Sequence, residues 1–324
     1  MVSPSARWGQ AAVAAVITGV VLLVGLLLLY WPYFLTAQSQ AGGIVPNLFN
    51  PTRFPQFFLM FGFALLGLGA LVGLGWQGLV TAQATVKGTH WGQIGMIAAV
   101  VYGVPILFLL VSAILVTTAR GQRLLAANLP LPADATSYLP FITERWLTSF
   151  WTFLIVGAFL VLVLWLIWRY VELFWGRYAA LAPSTQTSQE QTQNEQITLL
   201  FVLLLGAVGL LLVYAPEFVY LRDNFGTRMN TVFKFYYQAW LLFGLVLSYV
   251  VVVAFADGKR TGLIAVGTKV CAGLSFVIAL SGLIFPVAAA YSKTGGFATT
   301  PTFDATAYLV DKGRLSWLPP TGCA

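Results

Sequence analysis

Repeated apolar runs, each long enough to cross a bilayer, leave this chain few ways to fold. They cover roughly 10–35, 56–78, 92–117, 147–174, 197–215, 231–255 and 263–288. A helix needs about 20 apolar residues to cross the ~30 Å hydrocarbon layer, and backbone within that layer must satisfy its own hydrogen bonds. The expected fold is all-α: a polytopic integral membrane protein of about seven transmembrane helices with short interfacial helices. The transmembrane helical domain takes up 1–288, and an irregular extramembrane tail takes up 289–324. Composition rules out a soluble alternative. The chain is 59% hydrophobic and 8% charged, against about 25% charged in soluble domains. The first run is too long for a signal-peptide core and reads as a retained helix.

The net charge of +7 is spread over many loops, and no basic run exceeds Lys259-Arg260. That excludes a nucleic-acid partner and favours the lipid bilayer, anionic headgroups or a phosphate-bearing ligand. Cys271 and Cys323 form no zinc or disulfide pattern, and His90 has no second metal ligand nearby. No zinc site is expected, and the cofactor is left open, with a divalent cation as the candidate.

The links carry their own signals. Residues 36–55, with Pro46, Pro51, Pro55 and the single charge Arg53, predict an ordered re-entrant or surface loop. Glycines of the second run, among them Gly73 and Gly75, permit close helix packing. Pro105 predicts a kink. A short interfacial helix is expected near 138–146. The polar stretch within 176–196 predicts a flexible loop. Lys269 is expected to snorkel toward Lys259-Arg260.

One stretch departs from this lipid-soluble background. Between Tyr214 and Gln238 lie Glu217, Arg222, Asp223, Arg228 and Lys234. Charge at the edge of hydrocarbon is costly and usually functional. Pro216 ends or kinks one helix, Gly226 permits a reversal, and PEFVYLRDNF between them can form one short interfacial helix. Thr227 or Asn230 can cap the next helix. On that helix Arg228, Thr231 and Phe235 share one face, while Asn230, Lys234 and Tyr237 stack at i, i+4, i+7 on a second. Cations beside aromatics suit a phosphate, and Asn with Tyr suits hydroxyls. Asp223 or Glu217 can act as general base, or hold a divalent cation with the phosphate. The same residues also suit a charge network that only joins two helices.

PEFVYLRDNFGTRMNTVFKFYYQAW resembles the signature of the hydrophobic Chlor_Arch_YYY membrane proteins. WPYFLTAQSQAGGIVPNLFNPTRFPQFFLMFG and TPTFDATAYL resemble two further segments of that family, so the likeness runs from about 30 to about 310. The family is grouped by distant similarity with type C glycosyltransferases, multi-span enzymes that take sugars from lipid-phosphate donors on the extracytoplasmic side. The resemblance therefore implies that the motif lies outside. A raw count of Lys and Arg over the loops points the other way, and setting aside the bases of the motif and tail reverses it, so charge alone leaves the orientation open. Members of the family are longer and carry a tripled tyrosine, where this chain has only Tyr236-Tyr237. Type C enzymes carry an acid in their first outer loop, and 36–55 has neither Asp nor Glu. The resemblance thus corresponds to the C-terminal transmembrane half of such a protein.

Two functions follow as expectations. In the first, the chain is a membrane-embedded part or subunit of a type C-like glycosyltransferase using a polyprenyl-phosphate sugar donor. Arg222, Arg228 and Lys234 contact the phosphate, Asn230 and Tyr237 orient the ligand, and Asp223 and Glu217 are the candidate acids. In the second, it is a non-catalytic integral subunit of a larger complex with a partner membrane subunit. The motif is then a structural or lipid-binding network. A transporter fits less well, because charges are scarce inside the other spans. The expected location is the cell membrane, as a multi-pass protein.

Overall fold

A computed structural model describes residues 4–36, 43–82, 91–126, 137–180, 187–222, 228–256, 261–293 and 296. The helices are α1 (Pro4–Thr36), α2 (Phe54–Ala82), α3 (Trp91–Thr117), α4 (Ala119–Ala126), α5 (Tyr138–Thr148), α6 (Phe150–Ala180), α7 (Thr187–Tyr214), α8 (Met229–Ala256), α9 (Leu263–Ser281) and α10 (Ile284–Lys293). Two three-residue strands, β1 (Ile44–Pro46) and β2 (Val219–Leu221), complete the described elements. Six helical stretches are long and apolar enough to span a bilayer, and α1 contributes the shorter apolar segment Ile17–Tyr33. The protein is a polytopic all-α membrane protein. The chain divides into two units, 1–276 and 277–324, and the site described below lies in the first.

In that unit α2, α6, α7 and α8 form the packed centre. Phe61, Leu71, Leu166, Leu203, Leu210 and Val250 are almost fully buried there. Hydrocarbon does not drive helices together by the hydrophobic effect, so close approach must come from shape. Small residues provide it. A Cβ at Gly75 would sit 2.8 Å from Leu166 Cδ1, and one at Gly209 would sit 2.7 Å from the Phe243 ring. The expectation for the glycines of the second run therefore has its cause at Gly75, where α2 meets α6.

Several boundaries differ from the sequence reading. The polar stretch expected as a flexible loop is helical over 176–180 and from Thr187 onward, while 181–186 lie outside the described residues. A polar, low-complexity composition does not forbid helix, and Gln and Glu are good helix formers. The last run is not one helix. It breaks at Gly282-Leu283, between α9 and α10. Pro286, in the first turn of α10, lacks an N–H and its ring would clash with the carbonyl four residues back, at Gly282, which favours a break there. α3 runs on through Pro105. The interfacial helix expected near 138–146 is α5.

The largest difference lies in 216–222, the part of PEFVYLRDNF within the described residues. That segment was expected as one short helix. Instead Ala215–Glu217 form a single 3-10 turn, and Val219–Leu221 run extended as β2. The cause is the loop after α1. β1 pairs antiparallel with β2, placing Ile44 opposite Leu221, Val45 opposite Tyr220 and Pro46 opposite Val219. Backbone bonds from Arg222 N to Gly43 O (2.9 Å) and from Asn47 N to Phe218 O (2.7 Å) extend the pairing at both ends. Val and Tyr suit an extended, half-buried ribbon.

Candidate functional site

Proline sets the entry to the site. Pro216 cannot continue α7, so the chain tightens into the 3-10 turn and carries Glu217 inward. Phe218 then anchors the turn in an aromatic cluster. Its ring lies 4.8 Å from Tyr214, 5.7 Å from Phe153 and 5.8 Å from Trp146, centroid to centroid. Below the ribbon, Val45, Leu48, Phe49, Val116, Ile142 and Tyr220 form an apolar cluster. The turn is thus fixed on both sides before any charge is considered.

Glu217 is 4% exposed. A carboxylate this deep must be fully paired. Its Oε2 accepts the Thr52 backbone N–H at 2.7 Å. Its Oε1 accepts the Thr52 hydroxyl at 2.7 Å, the Arg228 Nη1–H at 3.0 Å and the Tyr236 hydroxyl at 3.2 Å. Arg228 closes the ring, since its Nη2 donates to Thr52 Oγ1 at 2.7 Å and its Nη1 also reaches Pro216 O at 3.3 Å. Asn47, 1% exposed, holds the backbone of the same turn. Its Nδ2 donates to Glu217 O at 3.0 Å, with Pro216 O at 3.3 Å and Asn50 O at 3.4 Å, while its Oδ1 accepts from Asn50 N at 3.3 Å. Thr231 joins the start of α8 to β2 by accepting Leu221 N–H at 3.0 Å. Burial pushes the Tyr220 phenol up, with the nearby Arg222 and Arg228 cations opposing in smaller measure; Tyr220 is therefore a neutral phenol at pH 7.

The residues singled out from the sequence fall into two groups. Glu217 and Arg228 meet in the buried knot. Arg228 faces inward with Thr231, as the helical spacing predicts, and Thr231 is buried. Asn230, Lys234 and Tyr237 lie on the other face of α8, where Asn230 is half-buried and Lys234 and Tyr237 are exposed. The Tyr237 ring packs edge-on against Phe233 at 4.5 Å. Arg222 is half-buried at the end of β2, where its backbone N–H is bonded to Gly43. Asp223 lies outside the described residues. Among the described residues, no group of three or more His, Cys, Asp or Glu is placed to hold a metal ion.

Sequence reasoning missed Asn47 and Thr52. Both are neutral, and a search for charge passes over them. The available signal was PNLFNPT itself, in which asparagines three apart and two prolines predict a rigid turn. Two of the three stretches that carry the family likeness, 31–62 and 216–240, are joined by these contacts.

Residues 3–243 match the model of a family described as "Uncharacterized membrane protein (DUF2298)". No curated protein and no solved structure matches the chain.

Proposed function

Because the chain belongs to the DUF2298 family of uncharacterized membrane proteins, we propose that it is a membrane-embedded part or subunit of a type C-like glycosyltransferase, placed in the cell membrane, that binds a polyprenyl-phosphate sugar donor. One observation carries this reading. At the start of a membrane-spanning helix, Lys234 stands exposed beside the Phe233–Tyr237 ring pair. A cation next to aromatic faces at the edge of the hydrocarbon suits a lipid phosphate. The N-terminus of the 28-residue helix α8 adds partial positive charge at the same end.

In this reading Lys234 and Arg222 take phosphate oxygens, and Asn230 and Tyr237 orient the ligand. The cations stabilise negative charge that develops on the departing phosphate. Glu217 and Arg228 act differently. Their donors and acceptors are committed to Thr52, Tyr236 and Pro216, so they hold the shape of the site rather than meet the ligand. Asp223, flanked in sequence by Arg222 and Asn224, is the favoured acid. Should a divalent cation bind with the phosphate, Asp223 would hold it, and the cation would supply further neutralisation of phosphate charge.

A second reading is supported by the completeness of the Glu217 network. A motif whose buried charges are satisfied within the chain also suits a non-catalytic subunit, with the outward face of α8 meeting a partner membrane subunit. Binding separates the two. With undecaprenyl phosphate as probe, Lys234→Gln and Arg222→Gln are expected to weaken binding by at least about tenfold, and the exposed Lys234→Gln to do so with melting temperature unchanged. Unchanged binding, accompanied by loss of a co-purifying subunit, sinks the first reading and supports the second.

A further inference from the structure

Away from the motif, a second charged cluster lies within the membrane-spanning part of α6. Arg169 is 3% exposed. Its Nη1 donates to Glu172 Oε2 at 2.5 Å. Glu172 Oε1 accepts from Gln93 Nε2 at 2.8 Å and from Trp168 Nε1 at 2.7 Å. The cluster therefore ties the first turn of α3 to α6. It is incomplete, however. Arg169 Nε, Arg169 Nη2 and Gln93 Oε1 are all buried without a hydrogen-bond partner. Buried polar atoms are rarely left so, and a cation inside a span is a functional candidate by default.

Trp168 and Glu172 of the cluster line one end of a groove, and Arg169, paired with Glu172, does not itself line it. Ile97 and Val100 of α3 and Leu164, Ile167 and Val171 of α6 form its walls, Glu172 lies at its end, and its volume is about 690 Å³. At 1.5 Å per residue it runs about 12 Å along α6 from Leu164 to Glu172. Its wall is apolar along this length and polar only at the Glu172 end. α3 and α6 both carry bilayer-spanning stretches.

We propose that this groove binds an anionic phospholipid of the phosphatidylglycerol type, with one acyl chain along the α3–α6 wall and the phosphate on Arg169. Three observations converge on that occupant. The wall accepts hydrocarbon. The unpartnered guanidinium N–H groups require acceptors, which phosphate oxygens supply in the same planar geometry as a carboxylate. The unpartnered Gln93 Oε1 requires a donor, which a glycerol hydroxyl supplies. Glu172 covers Arg169 until the lipid arrives. Its side chain is 38% exposed, so it turns out to headgroup water as the phosphate takes its place. No bond is made or broken in this exchange.

The test uses the full chain in detergent, with phosphatidylglycerol and phosphatidylcholine as probes, read by native mass spectrometry and by lipid-dependent melting. Phosphatidylglycerol should be retained about tenfold over phosphatidylcholine. Glu172→Gln removes the competing carboxylate and should tighten phosphatidylglycerol about tenfold further. Arg169→Gln should abolish the preference. Val100→Trp fills the groove without touching the cluster and should release both lipids. If Arg169→Gln does not fold, the other two variants decide. Equal retention of the two lipids by the wild-type chain overturns the proposal. So does an unchanged phosphatidylglycerol affinity in Glu172→Gln or Val100→Trp, or displacement of bound phosphatidylglycerol by undecaprenyl phosphate at equal concentration.

Discussion

Glu217 shows how a single acid in a membrane protein acquires its place. Nothing about a carboxylate beside a proline fixes whether it reacts or only pairs. Its partners decide, and they come from two separate stretches: Thr52 before α2, and Arg228 and Tyr236 at the start of α8. Removing one partner strands the others. Arg228→Ala should destabilise the protein by about 3–5 kcal/mol, because it leaves a buried carboxylate without its cation. The double variant Glu217→Gln, Arg228→Met should cost clearly less, since it removes both charges together. Denaturation in mixed detergent micelles measures both, and a double variant as unstable as Arg228→Ala contradicts the buried-pair account. The charged half of this knot was legible in the sequence, because charge is rare in the chain. The neutral half, Asn47 and Thr52, was not. A threonine or asparagine in a loop looks the same whether it faces water or completes a buried network.

At the scale of elements, the helices were legible and the ribbon was not. Some 20 apolar residues in a row admit few structures, so runs such as 56–78 and 231–255 became α2 and α8 with shifts of a few residues at their ends. A three-residue strand has no period to detect, and β2 owes its conformation to β1, far away in sequence. The pairing is directly testable. Ile44 and Leu221 face each other between the bonded ends of the ribbon, and both are exposed. Cysteines at such a position come within disulfide reach. With Cys271 and Cys323 replaced, Ile44→Cys, Leu221→Cys should cross-link on mild oxidation, whereas Ile44→Cys, Tyr220→Cys should not. Equal cross-linking of both pairs contradicts the register. Helix packing gives a second expectation. Gly209→Leu must displace the Phe243 ring and should cost about 1–3 kcal/mol by overpacking, measured as a fall in detergent melting temperature. A neutral result means that α7 and α8 stand further apart.

At the scale of the molecule, α2 begins beside the ribbon and ends beside a cavity lined by Gln77, Thr81, Glu195, Tyr249 and Thr261. The ribbon and that cavity therefore open on opposite sides of the membrane. An impermeant maleimide applied to intact cells should label Ile44→Cys but not Thr261→Cys if the motif lies outside, as the glycosyltransferase reading requires. The reverse pattern refutes that reading and leaves the packing untouched. The ribbon also bears on how the chain is made. Its first strand follows α1, and its second emerges only after α7. Throughout synthesis of the intervening helices the first strand has no mate, and Thr52 has no carboxylate to meet. When Glu217 does emerge, its cation and phenol are still to come, just before α8 and on it. Assembly of this end of the bundle is therefore a late, long-range event of the kind that folds slowly. A nascent chain arrested before α8 should hold an acid that the membrane has not yet been able to conceal, and quality-control machinery that recognises intramembrane charge could then tell a finished molecule from an unfinished one.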